Sequence, residues 1–544
     1  MTGFAAPAAL SHLRLADVAG DFFDVAVVGG GITGAGIARH AAACGLATLL
    51  LEADDFAAGT SSRSTKLIHG GLRYLAMGDI RLVREGALER KSLLAMAPHL
   101  IEPRNMLVPA RSLLEHVKLR AGIDLYERLG AVARRDRHHN WRDDELAAGE
   151  PLLDRHLLPR ACVYREYLTD DARLVIATLR AASARGAVIS NYAPVSAVRQ
   201  DVRGCVLTAT DLRSGESHEV RARSVVNAAG PWVETLLAPG ADAAGRARRR
   251  LYLSKGVHLV VPHERLPVRN MVMMTAADRR PVFAIPRGQV TYVGTTDTTH
   301  EGPAEHWPGV SEVDVDYLVE TANAHFRIEP LRPEEVLATW AGLRPLINQP
   351  GKAPKEMSRR DEIWQDGAVV TVAGGKLTGF RRMAEEAMAA VARVLDRRLD
   401  MPEPLAPLPG GDIDDLSSEI DETQRRYEVD RVVATRLVRR YGSETRDVLG
   451  EHPAPLSPSV FAEEVQWAVS VEGARTLEDV VYRRLGAAWF LPQEVQAVVQ
   501  GTAPLLADLL RWNGSDVERE TALVQRRLAD ELRFRQSAAS GASR

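Results

Sequence analysis

Apolar and polar positions alternate along the chain in patterns that separate strands from helices. The run Asp24-Val25-Ala26-Val27-Val28 is rich in β-branched residues, ends in three glycines and reads as a buried strand. Residues 32–45 are mostly alanine and other small residues closing on Gly45, which predicts a helix, and 46–52 resume as a second strand. Strand, helix and strand make a βαβ unit. The segment 61–75 is polar and glycine-containing, a loop entering a helix, and 79–160 reads as mostly helical with many arginines. The α/β pattern returns at 171–189, a helix stopped by Gly186 and then a strand, and at 218–232, strands ending in a tight turn. Alternation over 251–298 predicts an antiparallel sheet forming a second layer. A last strand and loop at 368–380 runs into a helix, the proline-rich 402–411 reads as a linker, and helical periodicity over 412–544 predicts a separate helical domain.

A chain of 544 residues holds roughly two to four domains at about 100 to 200 residues each. The net charge of −3 supplies no bulk field for nucleic acid or anionic lipid. Cys44, Cys162 and Cys205 are odd in number and far apart, which suits neither a disulfide framework nor a metal site and points to a reducing, cytoplasmic setting. The first 20 residues lack a basic start before a short apolar stretch, so neither secretion nor membrane spanning is expected. Only seven of the 69 basic residues are lysine, so Lys66, Lys255 and Lys376, each beside glycine in a short motif, draw attention.

Gly29, Gly30, Gly31 and Gly34 fit G-x-G-x-x-G between a strand and a helix, and Glu52 ends the next strand. Glycines permit a tight turn and close approach to a pyrophosphate at the helix N-terminus, and Glu52 can accept hydrogen bonds from an adenosine ribose. The motif alone leaves FAD and NAD open, but no second nucleotide-binding βαβ is present to seat NAD.

The segment 60–74 extends the reading. Taken with VGGGITGAGIA, NAAGPW (227–232), SKGVH (254–258), GTTD (294–297), GLRPL (342–346), SR (358–359) and GGKLTGFR (374–381), it resembles the FAD-dependent glycerol-3-phosphate dehydrogenases, aerobic and respiratory in type, within the D-amino-acid-oxidase-like flavoproteins. The resemblance covers about 24–410 in order. It implies an α/β fold: a Rossmann-like, glutathione-reductase-type FAD-binding domain, an antiparallel-sheet substrate domain and a C-terminal helical domain. The boundaries expected are a tail at 1–20, an FAD-binding domain at 21–405 with a cap interleaved at about 79–165 and 245–340, a linker at 406–414 and the helical domain at 415–544.

The implied cofactor contacts are Gly29, Gly30, Gly31, Gly34, Glu52, Thr60, Ser61, Ser62, Thr65, Lys66, Leu67, His69, Gly70, Gly71, Val195, Ala229, Gly230, Trp232, Gly375, Lys376, Leu377 and Thr378. A phosphate dianion calls for fixed cations, and an arginine fork suits its oxygens; Arg344 and Arg359 sit in the family's two substrate motifs, joined by Thr295 and Tyr74, by Arg73 as either a ligand or a structural partner and, on weaker carry-over, by Lys255 and His258. Oxidising a secondary alcohol also requires the hydroxyl proton to leave. His69 titrates nearest neutrality and is the candidate base, its alternative role being support of the flavin ring, while Lys376 would stabilise developing negative charge beside Arg344.

The implied reaction converts sn-glycerol 3-phosphate to dihydroxyacetone phosphate, with a quinone as acceptor at the inner face of the cell membrane. Oxygen is the competing acceptor, another amine or 2-hydroxyacid flavin oxidase the nearest alternative, and a nucleic-acid-binding flavoprotein the alternative of a different class. Near-neutral charge and sparse aromatics count against nucleic acid. Leu113, Val117, Ala121, Leu125 and Leu129 form one helical stripe that would suit a membrane surface, but Glu115, Asp124 and Glu127 dilute its charge and favour a core-facing helix. The sequence leaves the oligomeric state open, a homodimer included.

Overall fold

The computed structural model describes residues 9–10, 13–70, 80–236, 251–348, 361–400 and 406–535. Strand Phe22–Val28 (β1), helix Ile32–Ala43 (α1) and strand Thr48–Leu51 (β2) form the predicted βαβ unit. β1 lies at the centre of a parallel sheet, with Val25 beside Thr48 on one side and Ser224 of Glu216–Asn227 on the other. Both faces of β1 are covered, which explains its unbroken apolar run. Val25 and Val27 pack with Ile37 and Ala41 of α1 and Met383 and Met388 of Phe380–Val394, whereas Ala26 and Val28 face Leu207 and Ala209 of the antiparallel strand Gly204–Asp211.

The second, mainly antiparallel sheet includes near one end Leu251–Pro262, which runs in register with Ala338–Ile347 from Leu251 beside Ile347 to Val260 beside Ala338. It also takes in Ile101–Ala110 and Arg160–Thr169, paired over ten residues each. That corrects the helical reading of 79–160: helices Ile80–Met96, Leu113–Leu129 and Asp143–Gly149 are present, but the strands Ile101–Ala110 and His139–Arg142 lie among them. Pro103 and Pro109, both in Ile101–Ala110, are incompatible with a helix interior.

The helix Leu113–Leu129 overturns its core-facing expectation. Ile123, Tyr126 and Glu127 are buried, but Leu113 is 60% exposed, Leu114 65%, Val117 52% and Leu125 42%. The apolar stripe faces outward.

Helices from Leu416–Tyr427 to Gly514–Asp530 form the C-terminal region; part of it packs on itself, with Val433, Leu437, Tyr441, Phe461 and Trp467 in one cluster, and part packs against the rest. Trp489, Phe490 and Val495 share a cluster with Val260, Tyr292 and Trp340 of the second sheet, and the rings of Trp340 and Trp489 lie 5.4 Å apart. Buried ion pairs continue the seam: Arg173 with Glu472 at 2.6 Å, Arg180 with Glu444 at 2.7 Å, and Asp55, just after β2, with both Arg483 at 2.6 Å and Arg484 at 2.8 Å. Burial pushes a carboxyl up, but the two guanidiniums outweigh it and hold Asp55 below its ordinary range. The segment read as a linker is also fixed, since the Leu408 N–H donates to Met96 O at 2.8 Å and Arg39 to Ala406 O at 3.0 Å.

Candidate active site

The turn after β1 is glycine because its backbone touches backbone. A Cβ on Gly34 would lie 1.9 Å from Gly29 O, and one on Gly29, whose φ is +112°, would lie 2.6 Å from Ala228 O. The Glu52 carboxylate lies at the end of β2 and accepts the Gly30 N–H at 2.5 Å and the Asp54 N–H at 2.9 Å. Burial pushes its carboxyl up to about 7 even against these donors. Ser61 Oγ accepts the Ile32 N–H at 3.0 Å, holding the next loop over the helix N-terminus.

These groups open onto a cleft of about 410 Å³. Of the residues expected to hold the cofactor, Gly29, Gly31, Glu52, Thr60, Ser61, Val195, Ala229, Gly230, Trp232, Gly375, Lys376 and Leu377 line it. A buried carboxyl at the end of β2, a glycine turn at a helix N-terminus and a second glycine loop carrying a lysine therefore meet in one space, and this set fits an FAD. Trp232 forms part of the wall, its indole stacked on His306 at 4.3 Å and its Nε1 donating to Ala304 O at 3.1 Å.

Other expected contacts stand behind the wall. Gly30 and Gly34 shape the turn, and Ser62 is buried with its Oγ against Gly59 O at 3.5 Å. Lys66 is buried, its ammonium 2.5 Å from Asp171 and 2.8 Å from Ser62 O, so its charge is spent inside the protein. Leu67 pairs with Leu168. Thr378 Oγ1 donates to His69 O at 3.2 Å, which ties the half-buried His69 to the loop of Lys376. Gly70 is pressed on Tyr126, whose hydroxyl would lie 2.1 Å from an added Cβ. Gly71, Arg73, Tyr74 and Arg359 lie outside the described residues.

The expected substrate residues of the second sheet divide into two groups. Arg344 is held in place: Nη2 donates to Thr295 Oγ1 at 3.0 Å and Nη1 to Thr296 O at 3.3 Å, with Asp297 3.4 Å away. Gly256 makes room for it, since a Cβ there would lie 2.2 Å from Nη2. Thr60 Oγ1 donates to Leu343 O at 2.6 Å, linking this strand to the cofactor loop. Lys255 instead pairs with Asp314 at 2.7 Å, and His258 is buried, stacked on Trp340 at 4.8 Å and within 3.0 Å of Thr65 Oγ1. Burial, with Arg344 and Lys66 nearby, holds its imidazole well below the usual range and therefore neutral.

Asp171 and His306 also line the cleft and were not foreseen. Asp171 accepts from the Ser64 N–H at 3.0 Å and Ser64 Oγ at 2.7 Å as well as from Lys66. Its signal was the pair Asp170-Asp171 opening a helix, which sequence alone renders as an N-cap.

The glycine turn with Glu52 beside it and the covering antiparallel sheet fit a flavin-dependent oxidoreductase. Residues 24–404 match the family described as FAD dependent oxidoreductase, and 405–517 match the C-terminal domain of alpha-glycerophosphate oxidase. The chain is 35% identical over 534 residues to the aerobic glycerol-3-phosphate dehydrogenase of Staphylococcus aureus strain USA300, covering 94% of this chain and 95% of that one. It superposes with a TM-score of 0.77 on the glycerol-3-phosphate dehydrogenase of Bacillus halodurans complexed with FAD, at 32% identity over 95% and 96% of the two chains. The L-alpha-glycerophosphate oxidase of Mycoplasma pneumoniae, at 18% identity, a TM-score of 0.55 and 71% and 98% coverage, shares the fold. The chain belongs to the FAD-dependent glycerol-3-phosphate dehydrogenase family.

Proposed function

We propose that the protein oxidises sn-glycerol 3-phosphate to dihydroxyacetone phosphate and hands the electrons to a quinone at a membrane surface. The observation that carries this reading is Arg344, fixed by Thr295 and Thr296 on the strand whose Leu343 carbonyl is bonded to the cofactor loop. Bound FAD supplies the hydride acceptor. Arg344, with Thr295, binds the phosphate and sets the distance of the carbinol from the cleft, while Arg359, Arg73 and Tyr74 are assigned to the same task from their motifs. His69 takes the hydroxyl proton as the carbon is oxidised, and Lys376, lining the cleft, stabilises the negative charge that develops.

No helix among the described residues is long and apolar enough to cross a membrane. The outward stripe of Leu113, Leu114, Val117 and Leu125, with Lys118 and Arg120 exposed beside it, supports peripheral attachment instead. Anaerobic mixing with glycerol 3-phosphate should bleach the flavin spectrum, and a quinone should restore it. Reoxidation by oxygen with stoichiometric peroxide and no quinone reduction would make the protein an oxidase, and retention of all activity in the soluble fraction would reject the membrane reading.

A further inference from the structure

A second cavity, of about 440 Å³, lies between the second sheet and the helical region and shares no lining residue with the flavin cleft. Strands Ile101–Ala110 and Arg160–Thr169 contribute to it from one side, helix Arg431–Tyr441 from the other. Part of the lining is apolar, with Leu100, Leu168, Phe490 and Leu491.

The charged part is unbalanced. Glu102 is shared by Arg104 at 2.9 Å and Arg439 at 3.8 Å, and Asp170 by Arg287 at 3.0 Å and Arg440 at 3.9 Å. The other two lining arginines, Arg436 and Arg431, have carboxylates of their own in Glu464 and Asp421, which stand outside the lining. Each carboxylate inside therefore faces two guanidinium groups, and two positive charges lack a counter-charge among the described residues. Nε of Arg439, Nε of Arg440 and Nδ1 of His99, all on lining residues, are buried without a hydrogen-bond partner among the described residues. Such groups are costly to leave unpaired.

We propose that this cavity binds an amphipathic phosphate monoester, its head held by Arg104, Arg287, Arg439 and Arg440 and its hydrocarbon lying on Leu100, Leu168, Phe490 and Leu491. A phosphate monoester carries nearly the two negative charges that the cavity lacks, and guanidinium forks match its oxygens. The volume falls within the range of about 300–1,000 Å³ usual for small-molecule sites, and inorganic phosphate alone would leave the apolar lining uncovered. The site is also wired to the cleft: Asp170 lines this cavity, while its neighbour Asp171 lines the cleft and holds Lys66 and Ser64. An anion that draws Arg287 and Arg440 from Asp170 bears on the start of the same helix.

The test is calorimetric titration of the FAD-loaded full chain with octyl phosphate below its micelle concentration. One saturable site per chain is expected, undisplaced by excess glycerol 3-phosphate and tighter than the site for inorganic phosphate. Affinity should fall about tenfold or more in Arg104→Met/Arg439→Met, which removes head contacts, and also in Thr435→Trp, which fills the cavity from the helix Arg431–Tyr441 without touching a charge. Arg344→Met should leave it unchanged. Thr435→Trp keeps the test decisive if the arginine variant fails to fold. The proposal is overturned by absence of saturable binding below about 1 mM, an affinity of only about −4 kcal/mol, by equal affinity for inorganic phosphate, or by a loss confined to Arg344→Met. Binding to phosphatidic-acid vesicles without binding of monomeric octyl phosphate would likewise overturn it and assign the charge to a lipid surface.

Discussion

Replacing Arg344 by methionine removes one cation while keeping most of the side-chain volume. The guanidinium is only partly exposed and donates to Thr295 Oγ1 and Thr296 O, so it is positioned before substrate arrives and little ordering remains to be done on binding. A charge-assisted hydrogen bond of this kind contributes about 1.5 to 3 kcal/mol, which is about ten- to 150-fold in affinity. The expected loss lies toward the upper end, because Asp297, 3.4 Å from Nη1, would then face the phosphate without the intervening positive charge. Stopped-flow flavin reduction separates the effects: the substrate concentration for half-maximal rate should rise by this factor, and the limiting rate should change far less. Glycerol, which lacks the phosphate, provides the control, and its second-order rate constant should be the same in variant and parent. A rise of less than about threefold for glycerol 3-phosphate, or an equal loss with glycerol, would refute the assignment of Arg344 to the phosphate.

Three further outcomes are expected. His69→Asn should lower the limiting rate of flavin reduction by about 100-fold or more with little effect on substrate affinity; an unaltered rate and pH profile would move the base to Lys376 or an ordered water. Glu52 is raised to about 7 without cofactor, and ribose hydroxyls donating to it favour its charged form, so FAD binding should release a proton at acid pH. Affinity measured by fluorescence quenching should therefore climb with pH by up to about tenfold per unit and level off above about 7, and a flat profile, or one of opposite slope, would remove Glu52 from the ribose. Gly34→Ala places a methyl group against Gly29 O and should cost about 1 to 3 kcal/mol of stability along with FAD affinity, read by thermal unfolding and cofactor retention.

The βαβ unit was legible because everything that defines it is local: an apolar strand, a glycine turn and an acidic residue fall within 31 residues of one another, from Phe22 to Glu52. The same holds for Gly374 and Gly375, whose φ values of +76° and +82° the sequence announces directly. What escaped depends on distant partners. Lys66 resembles an active-site lysine until Asp171, 105 residues later, is seen to neutralise it, and Lys255 until Asp314 does the same. The strands Ile101–Ala110 and Arg160–Thr169 stabilise one another across two intervening helices and a short strand, so neither alone carries a decisive pattern. The stripe on Leu113–Leu129 was seen, but periodicity gives a face without saying whether protein or solvent lies against it.

Asp55 finds Arg483 and Arg484 only 428 and 429 residues further along the chain. On a ribosome adding about 5 to 20 residues per second, roughly 20 to 90 s separate the synthesis of that carboxylate from that of its partners. Throughout that interval Asp55, two positions beyond Glu52's neighbour Ala53, lacks the two guanidinium groups that neutralise it among the described residues. The loop beside Glu52 is thus made early, and its charge is balanced only when residues 483 and 484 have been added, late in synthesis.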